Sequence, residues 1–243
     1  MMNLYEDSGL PIRDGLVHAH TETLMSFTRP GHWFSGSERS AIVAEARRAR
    51  CEARLQENGA DSAVSSDALL SEPVKRIARQ VAVSTNELDR DFLDQALADG
   101  LSDAEYVEVV GVVSRAVNVD IFARGIGLPV RALSAPREGE PSHIRPRTAR
   151  NEGAWVATVP GGVRGEEEAK LLYGSSDPQA APFIYRALSL VPIEAAGLMK
   201  LGRVQYLPID SFMDLGFTYE PTLSRPQYEL VAARVSALNE CFY

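Results

Sequence analysis

Residues 101–113 read Leu101-Ser102-Asp103-Ala104-Glu105-Tyr106-Val107-Glu108-Val109-Val110-Gly111-Val112-Val113. Ser102 followed three residues later by Glu105 is a capping box, in which each side chain satisfies the other residue's free backbone N–H. Beyond the cap, Tyr106, Val109, Val110, Val113 and Val117 recur at helical spacing, and the run continues through Ile121 and Phe122. So many valines would suit a strand, but the length of the run and its cap predict a helix. Glu105 is read as the cap and Glu108 as a solvated carboxylate, not as a catalytic pair.

The same signals extend outward in both directions. A helix is expected over 16–27, stopped by Arg29-Pro30-Gly31. Ser37-Glu38 opens a second, with Ile42 and Val43 on one face, Glu45, Arg47, Arg48 and Arg50 on another, and Cys51 near its end. Asn58-Gly59 and the Ser-rich residues 62–66 read as a loop. Helical spacing returns with Leu69, Val74, Ile77 and Val81, and again with Leu88, Phe92, Leu93 and Leu97, closed by Gly100. From Leu128 to about Arg164, five prolines from Pro129 to Pro160 and four glycines predict a long arm without helix, pinned to the body by Trp155. Further helices are expected at about 165–172, 181–190, 193–204 and 225–238. No strand alternation of useful length occurs, so the fold class is all-α. The expected organisation is two related halves, 1–133 and 165–243, joined by the Pro/Gly-rich arm 134–164. The halves share a faint internal repeat that aligns Cys51 with Cys241.

The chain has 243 residues and a formal net charge of −8. That charge disfavours nucleic acid as a partner. The local clusters Arg47, Arg48, Arg50 and Arg145, Arg147, Arg150 are read as a solvated helix face and a solvated loop. No apolar run has the ~18 residues of a membrane span, and Glu6, Asp7, Arg13 and Asp14 interrupt any signal-like pattern. A cytoplasmic protein is expected, with its two cysteines either buried small residues or reactive thiols. His18 and His20 lie two apart on a predicted helix and point to different faces, so a shared metal is disfavoured and no metal site is expected.

The chemistry-bearing stretch is the last one, Tyr228-Glu229-Leu230-Val231-Ala232-Ala233-Arg234-Val235-Ser236-Ala237-Leu238-Asn239-Glu240-Cys241-Phe242-Tyr243. On one straight helix, Glu229 and Cys241 are about 18 Å apart along the axis. They can meet only if the helix breaks, and Asn239 is a suitable break point. A new helix capped there would place Cys241 among first-turn N–H groups that stabilise a thiolate.

This stretch resembles the alkylhydroperoxidase AhpD / carboxymuconolactone decarboxylase family. The family pattern is a Glu, eleven residues, a Cys, two residues, a Cys or selenocysteine, and then a His. Glu229 and Cys241 match its first spacing, and Ser236-Ala237-Leu238-Asn239 is typical of it. The second redox residue and the His are not matched. A selenocysteine codon read as a stop after Tyr243 is the expectation, with a cropped chain as its rival. The resemblance implies an AhpD-like helical fold and thiol- or selenol-dependent peroxide reduction. Cys241 would be one half of the redox pair and Glu229 the proton relay. It also implies an external dithiol reductant, no bound organic cofactor, and assembly into trimers or hexamers.

Residues 101–113 resemble the family's helix behind the redox helix. In the first half, however, Ser40 stands where Glu229 would and Arg54 where a second Cys would follow Cys51. That half is therefore read as a structural or oligomerising pseudo-repeat, with Arg48, Arg50 and Arg54 either around the Cys51 thiol or fanned into water. His143, in the arm, could replace the unmatched His. Two other readings stand beside peroxide reduction: a cofactor-independent lyase of the carboxymuconolactone decarboxylase branch, and a catalytically inactive helical scaffold.

Overall fold

Helix α5 (Asp103–Gly125) is the axis around which the chain is built. The structure is a computed structural model that describes residues 4–55, 68–173, 181–208, 211, 213–220 and 222–241. The loop expected around Asn58-Gly59 and 62–66 lies outside the described residues. The predicted capping box is present: the Glu105 N–H donates to Ser102 Oγ at 3.2 Å, and the Ser102 N–H donates to Glu105 Oε2 at 2.7 Å. Beyond it, Val107, Val109, Val112, Val113, Ala116 and Val119 are all buried. A helix apolar on most of its circumference must be covered from several sides.

Its cover comes from both ends of the sequence. The other helices are α1 (Asp14–Ser26), α2 (Gly36–Glu52), α3 (Glu72–Val83), α4 (Arg90–Ala98), α6 (Glu166–Tyr173), α7 (Phe183–Arg186), α8 (Pro192–Gln205) and α9 (Arg225–Leu238). Helices α2, α3 and α8 pack on α5, α2 also packs on α3, and α1 on α8. Ser35 and Glu38 form a second capping box, which starts α2 at Gly36. Helix α7 is shorter than the 181–190 expected; Ala187 to Val191 turn instead into α8, which Pro192 opens at a position where its missing N–H costs nothing.

One core joins residues of α1 to α5 with Leu188, Leu190, Val191, Ala195 and Leu201. The expected division at 134–164 therefore runs through shared packing. A second, smaller cluster of Val159, Ala169, Tyr173 and Ala181 lies under α6.

The chain is all-α. Among the described residues the only β feature is an isolated bridge between Arg150 and Thr158, and no helix is long and apolar enough to cross a membrane. The arm is irregular as expected and is tied down by polar contacts. Arg145 grips Asp103 with two nitrogens at 2.6 and 2.8 Å, and Arg137 and His143 donate backbone N–H bonds to Thr28 and His32. Arg145, Arg147 and Arg150 are exposed, as a solvated loop requires.

Two charge readings are corrected. Arg47 and Arg50 do not face solvent: Arg47 bonds both oxygens of buried Asp120 at 2.8 and 2.7 Å, and Arg50 donates to the Ala82 carbonyl at 2.8 Å. Glu108 is not solvated either; it is 0% exposed. The reason is the same for both. Helices α2 and α5 are covered on faces that periodicity alone leaves to water, so their charges survive there only with an ion-pair or hydrogen-bond partner.

Candidate functional site

The C-terminal site is built on α9 and the turn after α8. Ser224 and Gln227 cap α9, and Arg225 in its first turn is buried. Arg225 Nη1 donates to the Asp214 carbonyl at 2.9 Å, while its Nε donates to Glu229 Oε1 at 2.6 Å. The other Glu229 oxygen accepts from the Tyr206 hydroxyl at 2.6 Å. The Tyr206 hydrogen bond, helped by Arg225, holds the Glu229 carboxyl below its usual range. Burial, followed by the adjacent carboxylate, pushes the Tyr206 phenol up to about 12. Glu229 is thus an ionised, partly exposed carboxylate with a neutral phenol as its proton-bearing neighbour.

Cys241 is exposed and not in a disulfide. Asn239 does end the helix, as its residue type suggested, but it does so by closing α9: its side-chain amide donates to the Val235 carbonyl at 2.8 Å. Glu240 then takes a left-handed φ of 51°, and the Cys241 N–H donates back to the Ser236 carbonyl at 2.9 Å. Cys241 thus follows the carbonyl end of α9, and no described helix offers it first-turn amides. Because α9 is continuous from Glu229 to Leu238, the structure does not bring Glu229 and Cys241 together. Tyr206 and Arg225 were not identified from the sequence. Arg225 four residues before Glu229 is a legible i,i+4 pair, whereas nothing local marks Tyr206.

The remaining sequence candidates are scattered. Cys51 is half-buried in the last turn of α2. His18 is exposed and pairs with Glu22 at 3.3 Å, while His20 is buried, which bears out the different faces. His143 packs its ring edge-on against Trp33, with centroids 5.3 Å apart. Among the described residues, no group of three or more His, Cys, Asp or Glu side chains could hold a metal ion.

The densest charge cluster lies elsewhere, at the junction of α2, α5 and α8. Arg39 Nη1 donates to Glu108 and its Nη2 donates to Glu194 at 2.8 Å. Arg115 clasps the other Glu194 oxygen with Nε at 3.0 Å and Nη2 at 2.5 Å. Glu108 also accepts the backbone N–H groups of His32 at 3.1 Å and Trp33 at 2.7 Å. All four charged side chains are 3% exposed or less. Burial raises the Glu108 carboxyl. For Glu194 burial acts in the same direction, but Arg115 and Arg39 outweigh it and hold that carboxyl low.

Three glycines make room for this cluster. A Cβ on Gly111 would stand 2.6 Å from Glu194 Cβ, one on Gly197 would stand 2.7 Å from Arg115 Nη1, and one on Gly31 would strike Glu108 and Arg39. The four charges cancel. The ion pairs run from α2 to both α5 and α8, which makes the cluster a lock between the three helices. Glu108, Glu194, Arg39 and Arg115 were all missed as partners. The one signal was a charge inside an apolar helical run, such as Arg115 between Val113 and Ala116.

Comparison of the chain with protein-family models, with curated proteins and with solved structures gave no match.

Proposed function

We propose that the chain is a thiol- or selenol-dependent peroxide reductase of the AhpD-like kind, with Cys241 as its peroxide-attacking thiol and Glu229 as its proton carrier. The observations that carry this reading are an exposed Cys241 thiol just past the end of α9 and, on α9, a Glu229 carboxylate held ionised by Tyr206 and Arg225. In the first step the Cys241 sulfur attacks the terminal peroxide oxygen. An S–O bond forms, the O–O bond breaks, and the products are a sulfenic acid and an alcohol. Glu229 takes the thiol proton, which is then delivered to the departing alkoxide. In the second step an external dithiol reduces the sulfenic acid, giving back the thiol with one water and one disulfide.

For Glu229 to serve Cys241, the last turns of α9 must open. That opening costs little, because Arg225 is the one buried residue of α9 and Leu230, Val231, Val235 and Leu238 all face solvent. The same exposed side chains suit assembly of copies of this chain into a homo-oligomer. A cytoplasmic setting, with its reducing pool, would supply the dithiol.

The test is consumption of an alkyl hydroperoxide with dithiothreitol as reductant. The wild-type chain is expected to turn over, Cys241→Ser to lose at least 100-fold, and Glu229→Gln to lose on the order of 100-fold. Turnover unchanged in Cys241→Ser contradicts the reading. A second reading, an inactive helical scaffold, is favoured by the unbroken α9 between Glu229 and Leu238. Equal inactivity of wild type and Cys241→Ser would select it.

A further inference from the structure

We infer that the cavity between α4, α5, α7 and the arm is a binding site for a small, neutral, largely apolar molecule bearing one oxygen acceptor, such as a phenol or an aryl alcohol. The cavity encloses about 390 Å³, within the range of pockets that hold small organic ligands. Leu93, Val107 and Leu188 form its buried floor, each 7% exposed or less. None of its lining residues carries a charge, so an ion entering it would lose its hydration without gaining a partner.

The polar features of this cavity are few and specific. Tyr106 lines it and is 7% exposed, and burial raises its phenol, so the hydroxyl keeps its proton to donate. A buried phenol normally finds a partner. An acceptor oxygen on a ligand in the cavity would supply one to Tyr106. Thr158 is the second hydroxyl of the lining. Its oxygen accepts from Arg186 Nη2 at 2.8 Å, which leaves its own proton to donate. Arg186 is itself neutralised by Glu152 at 2.5 Å, so it adds no net charge behind the wall. Two hydroxyl donors on an apolar wall select an acceptor oxygen on an apolar body.

The rim explains the aromatic preference. Trp155 and Phe183 are 47% and 46% exposed. They come from two different segments, the arm and α7, and a flat ring entering between them would cover apolar surface that is now wet. Trp155, expected to pin the arm, is instead half exposed at this rim. The site does not include Glu229 or Cys241, and the inference does not depend on peroxide chemistry.

The test is titration of the full chain with 1-naphthol, followed by calorimetry and by tryptophan fluorescence, with naphthalene-1-carboxylate as the charged control. Saturable one-to-one binding of 1-naphthol is expected, at least ten-fold tighter than the carboxylate. Tyr106→Phe removes one oxygen and is expected to weaken 1-naphthol about ten-fold, with the far-ultraviolet circular dichroism unchanged. Ala154→Trp, on the arm, is expected to fill the cavity and abolish binding, with the far-ultraviolet circular dichroism again unchanged. Non-saturable binding, or an affinity the same in wild type, Tyr106→Phe and Ala154→Trp, overturns the inference. A carboxylate that binds as tightly as 1-naphthol overturns the neutral ligand class.

Discussion

Arg39 of α2 and Glu194 of α8 meet at 2.8 Å in the middle of the molecule, with neither side chain more than 1% exposed. This contact ties α2, near the start of the chain, to α8, and Glu108 and Arg115 complete it. Removing one member leaves a buried charge with no counter-charge. Glu194→Ala is therefore expected to destabilise the fold by about 3–5 kcal/mol. Urea unfolding followed by circular dichroism measures this, and a loss below 1 kcal/mol would show that the cluster holds nothing together.

Gly111 tests the same junction sterically. A methyl group there has no room beside Glu194 Cβ and Cγ, at 2.6 and 2.8 Å. Although alanine is the better helix former, Gly111→Ala is expected to cost about 1–3 kcal/mol. Gly125 near the end of the same helix faces open space, so Gly125→Ala is the control and is expected to be neutral or mildly stabilising.

Much of the helical order was legible because it rests on local chemistry. Ser102 with Glu105, the apolar spacing of Val109, Val113 and Val117, and the prolines of the arm each act within a few residues, and α5 and α9 fall where they were expected. The charge pattern was not legible, because burial of Arg47, Arg50 and Glu108 depends on which helices cover them. A periodicity argument assigns one wet face to each helix; α2 and α5 have almost none. At the C-terminus, the spacing of Glu229 and Cys241 was visible. Tyr206, which fixes the state of Glu229, comes from a separate turn and was not.

Buried His20 sets a pH dependence. Its Nε2 faces the Gln205 amide at 2.8 Å and its Nδ1 the Tyr5 hydroxyl at 2.7 Å, and burial pushes its pKa down to about 4. The unfolded chain, with an ordinary histidine near 6.5, takes up the proton first as pH falls. The stabilisation is full above pH ~6.5 and declines by about 3 kcal/mol on going down to pH ~4. Unfolding free energies measured across that window for wild type and His20→Gln should differ in slope, with the variant flatter. Parallel curves would mean that His20 is not held neutral.

Tyr206 governs the carboxylate next to it. Tyr206→Phe removes the largest influence holding the Glu229 carboxyl low. The Glu229 carboxyl resonance in a carbon-detected NMR titration is expected to move its midpoint upward in the variant. An unchanged midpoint would assign the effect to Arg225 alone.

The redox reading turns on whether Cys241 itself is oxidised. The most direct measurement is mass spectrometry after brief exposure to a stoichiometric alkyl hydroperoxide in the presence of dimedone, which captures sulfenic acids. The adduct is predicted on Cys241, with Cys51 largely unmodified and the yield reduced in Glu229→Gln. An unmodified Cys241, or equal labelling of both cysteines with no effect of Glu229→Gln, would contradict the account.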